Sequence, residues 1–241
     1  MKLNSDIQAV LDRAKNDFSA IKIEYDKSLN EKEISSDLRI SIKNCLENIR
    51  SSLDYLAYQI FEENCKGDNS KVYFPIYSES KEKFEKFMKK TFPDLENTNK
   101  KIYDSLESPQ YYNNSTNNEW MKDLMALVNG NKHRKLSPQT RIEQKQLSLS
   151  SGGAGIRLGG GASIRLGGGA SIRIGGKTIY GGQTISADSP SVRADPGLDV
   201  QRTIWIDFKF DELEKSVILT ISKILDGSQA IVENFKKLIY S

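Results

Sequence analysis

One histidine, two cysteines and six prolines are all that this 241-residue chain carries of the residues that build metal centres, disulfide frameworks and sharp turns. His133 with Cys45 and Cys65 cannot complete a usual zinc set, and the two cysteines lack ligand spacing, so no metal and no other cofactor is expected. Cys45 falls on an apolar helical stripe, where a buried free thiol is the natural reading. No run approaches the roughly 20 apolar residues of a membrane span. The start of the chain is polar and charged, unlike a signal peptide, so the expectation is a protein of the reducing cytoplasm with no membrane partner. No Gly-rich phosphate loop follows a strand and no nucleophile elbow is present, which sets small-molecule redox and hydrolase chemistry aside. The net charge of +3 is too small by itself to identify a nucleic-acid partner.

What the chain has in excess is one phrase. Residues 153–176 read Gly-Ala-Gly-Ile-Arg-Leu-Gly-Gly, Gly-Ala-Ser-Ile-Arg-Leu-Gly-Gly and Gly-Ala-Ser-Ile-Arg-Ile-Gly-Gly. In an extended chain the aliphatics of each copy face one way and its arginine (Arg157, Arg165, Arg173) the other. Short strands with Gly-rich joints at constant period predict an antiparallel meander, whose register would set the three arginines side by side on one face. A row of guanidinium groups repels itself, so solvent, acidic side chains or phosphate should lie against it, and these arginines are the candidate nucleic-acid-binding residues. A flexible Gly/Ser linker is the other reading of the same composition. Around the repeat, residues 147–202 hold six basic residues (Arg157, Arg165, Arg173, Lys177, Arg193, Arg202) against Asp188, Asp195 and Asp199, so this part is locally basic.

The flanks read as helical. Ile7, Leu11, Ala14, Phe18, Ile21 and Tyr25 draw one stripe, and Ile42, Leu46, Ile49, Leu53, Leu56 and Ile60 a second, predicting an antiparallel helical hairpin. Val72 to Ile76 is extended because Pro75 pushes its predecessor out of the helical region. Residues 80–90 predict a small helix, and Glu119 opens a third major helix with Trp120, Leu124, Leu127 and Val128 inward. Gly130 either breaks that helix or is held by packing, at a cost of about 1 kcal/mol. Thr203 to Phe210 predicts a last strand. Asp211 then caps a final helix through Glu214, which Gly227 interrupts before Ile231, Val232, Phe235, Leu238 and Ile239 complete its stripe. The expected fold class is α+β, mainly α: a four-helix-type bundle (1–146 and 211–241) with an inserted Gly-rich antiparallel β meander (147–210) before the last helix.

Candidate chemistry sits at the end of the third helix. If the helix persists, Asn129, Lys132 and His133 share a face. Protonation of a His beside two cations is disfavoured, which keeps a neutral base available, and Lys132 with Arg134 can hold a phosphate. A base beside a phosphate clamp is what metal-free RNA cleavage requires. The alternative at this point is a His that only caps the helix C-terminus. On the second helix Arg50 and Asp54, at i and i+4, either pair on the surface or stand across from His133.

Arg50-Ser-Ser-Leu-Asp-Tyr-Leu-Ala57, Phe74-Pro75-Ile76, and Trp120 with Asn129-x-x-Lys132-His133-Arg134 together resemble members of the HEPN superfamily. The resemblance covers roughly residues 44–136, with the closing helix a further match. It implies a four-helix-bundle protein of a bacterial defence, toxin–antitoxin or CRISPR system, acting as a homodimer or higher homo-oligomer. In ribonucleases of that superfamily an Arg four to six residues before a His enters a shared cleft. His133 is the matching His; no Arg precedes it at that spacing, so Asn129 or Arg134 would substitute, with Arg50 and Asp54 as supporting residues. The implied activity is metal-independent endoribonuclease action on RNA. The alternative is a non-catalytic interaction scaffold whose β insertion mediates oligomerisation or recruits a second protein of a defence system or a nucleic acid, with nucleotide or signal binding in the bundle as a third option.

Overall fold

The computed structural model describes residues 4–31, 34–66, 71–76, 80–113, 117–133, 136–159 and 161–240; for residues 30, 31, 131–133, 205, 239 and 240 it describes the backbone alone. The chain forms two compact units, Met1–Thr140 with Lys209–Ser241, and Arg141–Phe208.

In the first unit, α1 (Ser5–Glu31) turns its three-four stripe inward and buries Ile7, Leu11, Ala14, Phe18, Ile21 and Tyr25. α2 (Ser36–Asn64) starts where the Ser35 hydroxyl accepts the Leu38 N–H. Its stripe from Leu38 to Phe61 is buried, each large aliphatic contributing about 1.5–3 kcal/mol. The Asn4 N–H donates to Gln59 near one end, and the Cys45 thiol donates to the Ala14 carbonyl further along, so α1 and α2 run antiparallel. Burial pushes the Cys45 thiol up to about 12, with the Asp17 carboxylate adding to the shift, so it is an inert packing group. Three short helices follow: α3 (Lys81–Thr91), α4 (Leu95–Thr98) and α5 (Lys100–Glu107). Ser80 and Asn99 cap α3 and α5. α6 (Glu119–His133) and α7 (Val217–Tyr240) complete the set, and α7 packs on α1, α2, α5 and α6.

The second unit is built on strands β1 (Gln139–Ser151), β2 (Ala154–Gly159), β3 (Ser163–Leu166), β4 (Ser171–Ile174), β5 (Lys177–Tyr180), β6 (Gln183–Ser186) and β7 (Asp199–Phe210). A short β8 (Lys215–Ser216) pairs with the end of β7, Phe210 opposite Lys215. One sheet has the order β2-β1-β7-β8; β3 pairs only with β6 and β4 only with β5, as separate antiparallel ribbons. All three repeats give their last aliphatic, Leu158, Leu166 and Ile174, to one buried cluster with Leu147, Leu149, Ile179 and Ile185. A linker has no such core.

This architecture corrects the expected fold class. Seven helices and an antiparallel sheet are present among the described residues, in an α+β arrangement with a C-terminal helix rather than a simple four-helix bundle with a meander inserted. The extra helices exist because residues 84–106 carry their own apolar layer: Phe84, Met88, Phe92, Leu95, Ile102, Tyr103 and Leu106 are all buried. The meander fails because two Gly-Gly turns decide the pairing. Gly152-Gly153 and Gly175-Gly176 take positive φ (56° and 81°, 52° and 82°), the requirement of a two-residue hairpin, and so commit β1 to β2 and β4 to β5. With β4 occupied, β3 pairs outside that hairpin with β6. The final helix also starts later than expected. Residues 211–214 form the β7–β8 turn with Glu214 at φ 55°, and α7 begins at Val217 and runs unbroken through Gly227.

Candidate functional site

α2 presents Arg50 and Asp54 one turn apart towards the extended segment 72–76. The Arg50 Nε donates to Asp54 Oδ2 at 3.1 Å, and Nη2 stands 2.9 Å from Oδ1. Each then reaches the backbone of Phe74: Arg50 Nη2 donates to its carbonyl at 3.1 Å, and Asp54 Oδ1 accepts its N–H at 2.9 Å. The pair thus supplies both bonds that a neighbouring strand would have given. Gln110 Nε2 donates to the Pro75 carbonyl at 2.9 Å, and Phe74 is fully enclosed. Of the two readings of Arg50 and Asp54, the i, i+4 pairing is present, half-buried rather than on the surface, and the pair works as a backbone clamp; a position across from the His133 side chain falls outside the described residues.

Beside this clamp is a recess of about 260 Å³ lined by Arg50, Asp54, Tyr73, Phe87, Met125, Val128 and Asn129. Asn129, two of whose neighbours along α6 are buried (Leu127 and Val128), is exposed at its rim. The α6 backbone stays helical through Gly130 to His133, so Asn129, Lys132 and His133 hold the i, i+3, i+4 relation along it. The side chains of Lys132 and His133, and all of Arg134, lie outside the described residues, as does the Ile239 side chain expected on the last stripe. Gly130 does not break the helix; the nearest atoms to a β-carbon there would be the Glu212 carboxylate oxygens, at 3.0 Å.

A second hollow of the same unit has no counterpart in the sequence reading. About 820 Å³ in volume, it lies between α7 and the start of α6, with Trp120, Asp123, Lys215, Leu219, Lys223 and Asn234 in its wall. Lys215 Nζ donates to both oxygens of Asp123 at 2.9 and 2.8 Å and meets Glu119 Oε1 at 3.0 Å. Burial raises the Asp123 carboxyl above the ordinary carboxylate range in spite of Lys215, whose hydrogen bond pulls the other way. Burial alone would lower Lys215, but its bonds to Asp123 and Glu119 outweigh it and hold the ammonium above its usual value. Glu119, bonded to Lys215, is held low. Lys215 lies 92 residues from Asp123, beyond the reach of any periodicity; the one local signal was an Asp among the apolar positions of α6.

In the β unit Arg157, Arg165 and Arg173 are exposed, each between a half-buried Ile and a buried Leu or Ile. They are not side by side in one sheet, as the meander required: Arg157 lies on the four-stranded sheet, Arg165 and Arg173 on the two separate ribbons. Their cross-strand partners are Ser148, Thr184 and Thr178. Among the described residues none of the three guanidinium groups has a hydrogen bond or ion pair. Of the acids nearby in sequence, Asp188 is committed to Lys145 at 2.9 Å and Asp199 to Gln201 at 3.0 Å, whereas Asp195 is bonded to Thr178, the cross-strand partner of Arg173, and to the Tyr180 hydroxyl.

Among the described residues no cluster of His, Cys, Asp and Glu suited to a metal is found, and no helix is long and apolar enough to cross a membrane. The chain matches no protein-family model, no curated protein and no solved structure.

Proposed function

We propose that this protein is a metal-independent endoribonuclease of a bacterial defence or toxin-type system, working as a dimer. The reading rests on the HEPN resemblance of its motifs and on one observation: Asn129 borders the same recess as Arg50 and Asp54, on the helix that continues to Lys132 and His133. In this reading His133 takes the proton of a ribose 2′-hydroxyl, the 2′-oxygen bonds to the adjacent phosphorus, and the bond to the 5′-oxygen breaks. A second His133 in the dimer returns a proton to that leaving oxygen. Lys132 and Arg134 hold the phosphate charge as it develops, and Asn129 orients the groups. Arg50 and Asp54 position rather than react, because their hydrogen bonds are spent on Phe74. The test is RNA cleavage in EDTA. His133→Ala should lower the rate by at least about 100-fold, and an unchanged rate rejects the assignment.

The same engagement of Arg50 favours a second reading, an interaction scaffold of the same system, since the recess then has no described cation free to take a phosphate. A dimer that binds its partner equally well with His133→Ala and cleaves no RNA is the outcome that selects it.

A further inference from the structure

The three octapeptides are equivalent in structure as well as in sequence. Ile156, Ile164 and Ile172 stand opposite Leu149, Ile185 and Ile179, and in the next register position Arg157, Arg165 and Arg173 stand opposite Ser148, Thr184 and Thr178. Each of the three strand pairs therefore repeats one outer motif, an unpaired guanidinium across from a serine or threonine, above one inner motif, an aliphatic pair. The inner motif accounts for the core. The outer one adds little to folding, as an arginine in an exposed position without a partner does. What a guanidinium beside a hydroxyl supplies is a set of hydrogen-bond donors in the geometry that phosphate oxygens accept.

On the β4–β5 ribbon an aromatic ring joins the motif. Thr178 and Tyr180 alternate with buried Ile179, so they share the outer face of β5, and Tyr180 lies diagonal to Arg173 across the ribbon. Tyr180 is 45% exposed, yet its hydroxyl donates to Asp195, which also accepts the Thr178 N–H. The ring is thus fixed at its tip while nearly half of the residue stays exposed, which suits a stacking platform. A lipid surface or an acidic peptide would use the arginines alone; a cation beside a fixed ring fits an unstacked base next to its phosphate.

We propose that the β unit is a backbone reader for single-stranded RNA, in which Arg157, Arg165 and Arg173 each take one phosphate, the first two together with the facing hydroxyls of Ser148 and Thr184, and Tyr180 stacks a base. The choice of RNA over DNA rests on the ribonuclease reading; the phosphate and stacking contacts do not. Anisotropy of labelled oligouridine, measured with the full chain carrying His133→Ala so that the RNA stays intact, tests it. Replacing the three arginines by Gln should weaken binding at least about tenfold and lower the slope of log K against log salt by about 2, near 0.7 for each phosphate lost from a single strand. Tyr180→Leu should weaken oligouridine but leave inorganic polyphosphate binding unchanged. Should the triple variant lose its thermal transition, the three single variants carry the test, each lowering the slope by about 0.7. Wild-type affinity and slope in the triple variant overturn the proposal. So does binding to phosphatidylserine vesicles without binding to oligouridine, and equal loss on both probes in Tyr180→Leu removes the stacking contact. Oligouridine bound as expected by a protein that never cleaves RNA sinks the ribonuclease reading and leaves this one standing.

Discussion

At Gly227 a β-carbon would stand 2.3 Å from Cε2 of Trp120 and 2.6 Å from its Cδ2 and Nε1, with the indole only 8% exposed. The glycine is there so that the ring can lie against the α7 backbone. Gly130 is a different case, since the three atoms nearest its absent β-carbon belong to the exposed, movable side chain of Glu212. The two alanine substitutions should therefore differ in sign. Gly227→Ala gains helix propensity but overpacks a buried ring, for a net loss of about 1–3 kcal/mol. Gly130→Ala keeps most of the propensity gain and should stabilise by up to about 1 kcal/mol. Urea unfolding of the two variants decides, and a shift of both midpoints in one direction contradicts the packing argument.

Between elements of the helical unit Lys215 ties the threshold of α7 to the first turns of α6 through Asp123 and Glu119. Lys215→Met would leave the Asp123 carboxylate buried without its cation, at a cost of about 2–3 kcal/mol near neutral pH. The pH dependence follows from the raised Asp123 carboxyl. The folded state holds that proton more tightly than the unfolded chain does, so ionisation costs stability as pH rises through the raised value. Removing the ammonium enlarges this penalty, so the deficit against wild type should shrink as pH falls from about 7.5 to about 5. A deficit that grows over that range assigns the burial wrongly. The contrast with α1 and α2 shows where sequence reading reaches. Their stripes were legible because burial repeats every three or four residues, and Cys45 and the Arg50–Asp54 spacing came with them. The Phe74 clamp and the Lys215 tie were not, because each joins groups far apart in the chain. The octapeptides were legible as strands with arginines outward, but their partners were not. The strands pair across the two joints where both adjacent glycines take positive φ, 152–153 and 175–176, whereas Gly161 and Gly182 take it at joints whose flanking strands stay apart, a difference that glycine content does not announce. At the candidate site, the helical continuity from Asn129 to His133 could be read from spacing, whereas the recess beside Asn129 depended on where residues 72–76 run.

For the whole molecule the question is whether the helical unit needs the β unit to fold. The chain leaves it after Thr140 and returns at Lys209. Within the helical unit the Asp211 N–H donates to the Pro138 carbonyl at 3.1 Å, so the exit and the return are neighbours. The β unit buries its own cluster around Leu147, Leu149 and Ile179, and the helices bury theirs, from Ile7 to Phe235. An insertion with adjacent ends and a separate core is removable in principle. Joining Thr140 to Lys209 through Asn-Gly, a pair suited to a two-residue hairpin, should give a chain with helical circular dichroism and one cooperative thermal transition. On the reading proposed above, that chain would still cleave a dinucleotide in EDTA while no longer retaining oligouridine, because the chemistry belongs to α6 and the RNA grip to the ribbons. A non-cooperative melt would mean the helices lean on the β unit, and cleavage that vanishes in a well-folded excised chain would move the reacting groups out of α6.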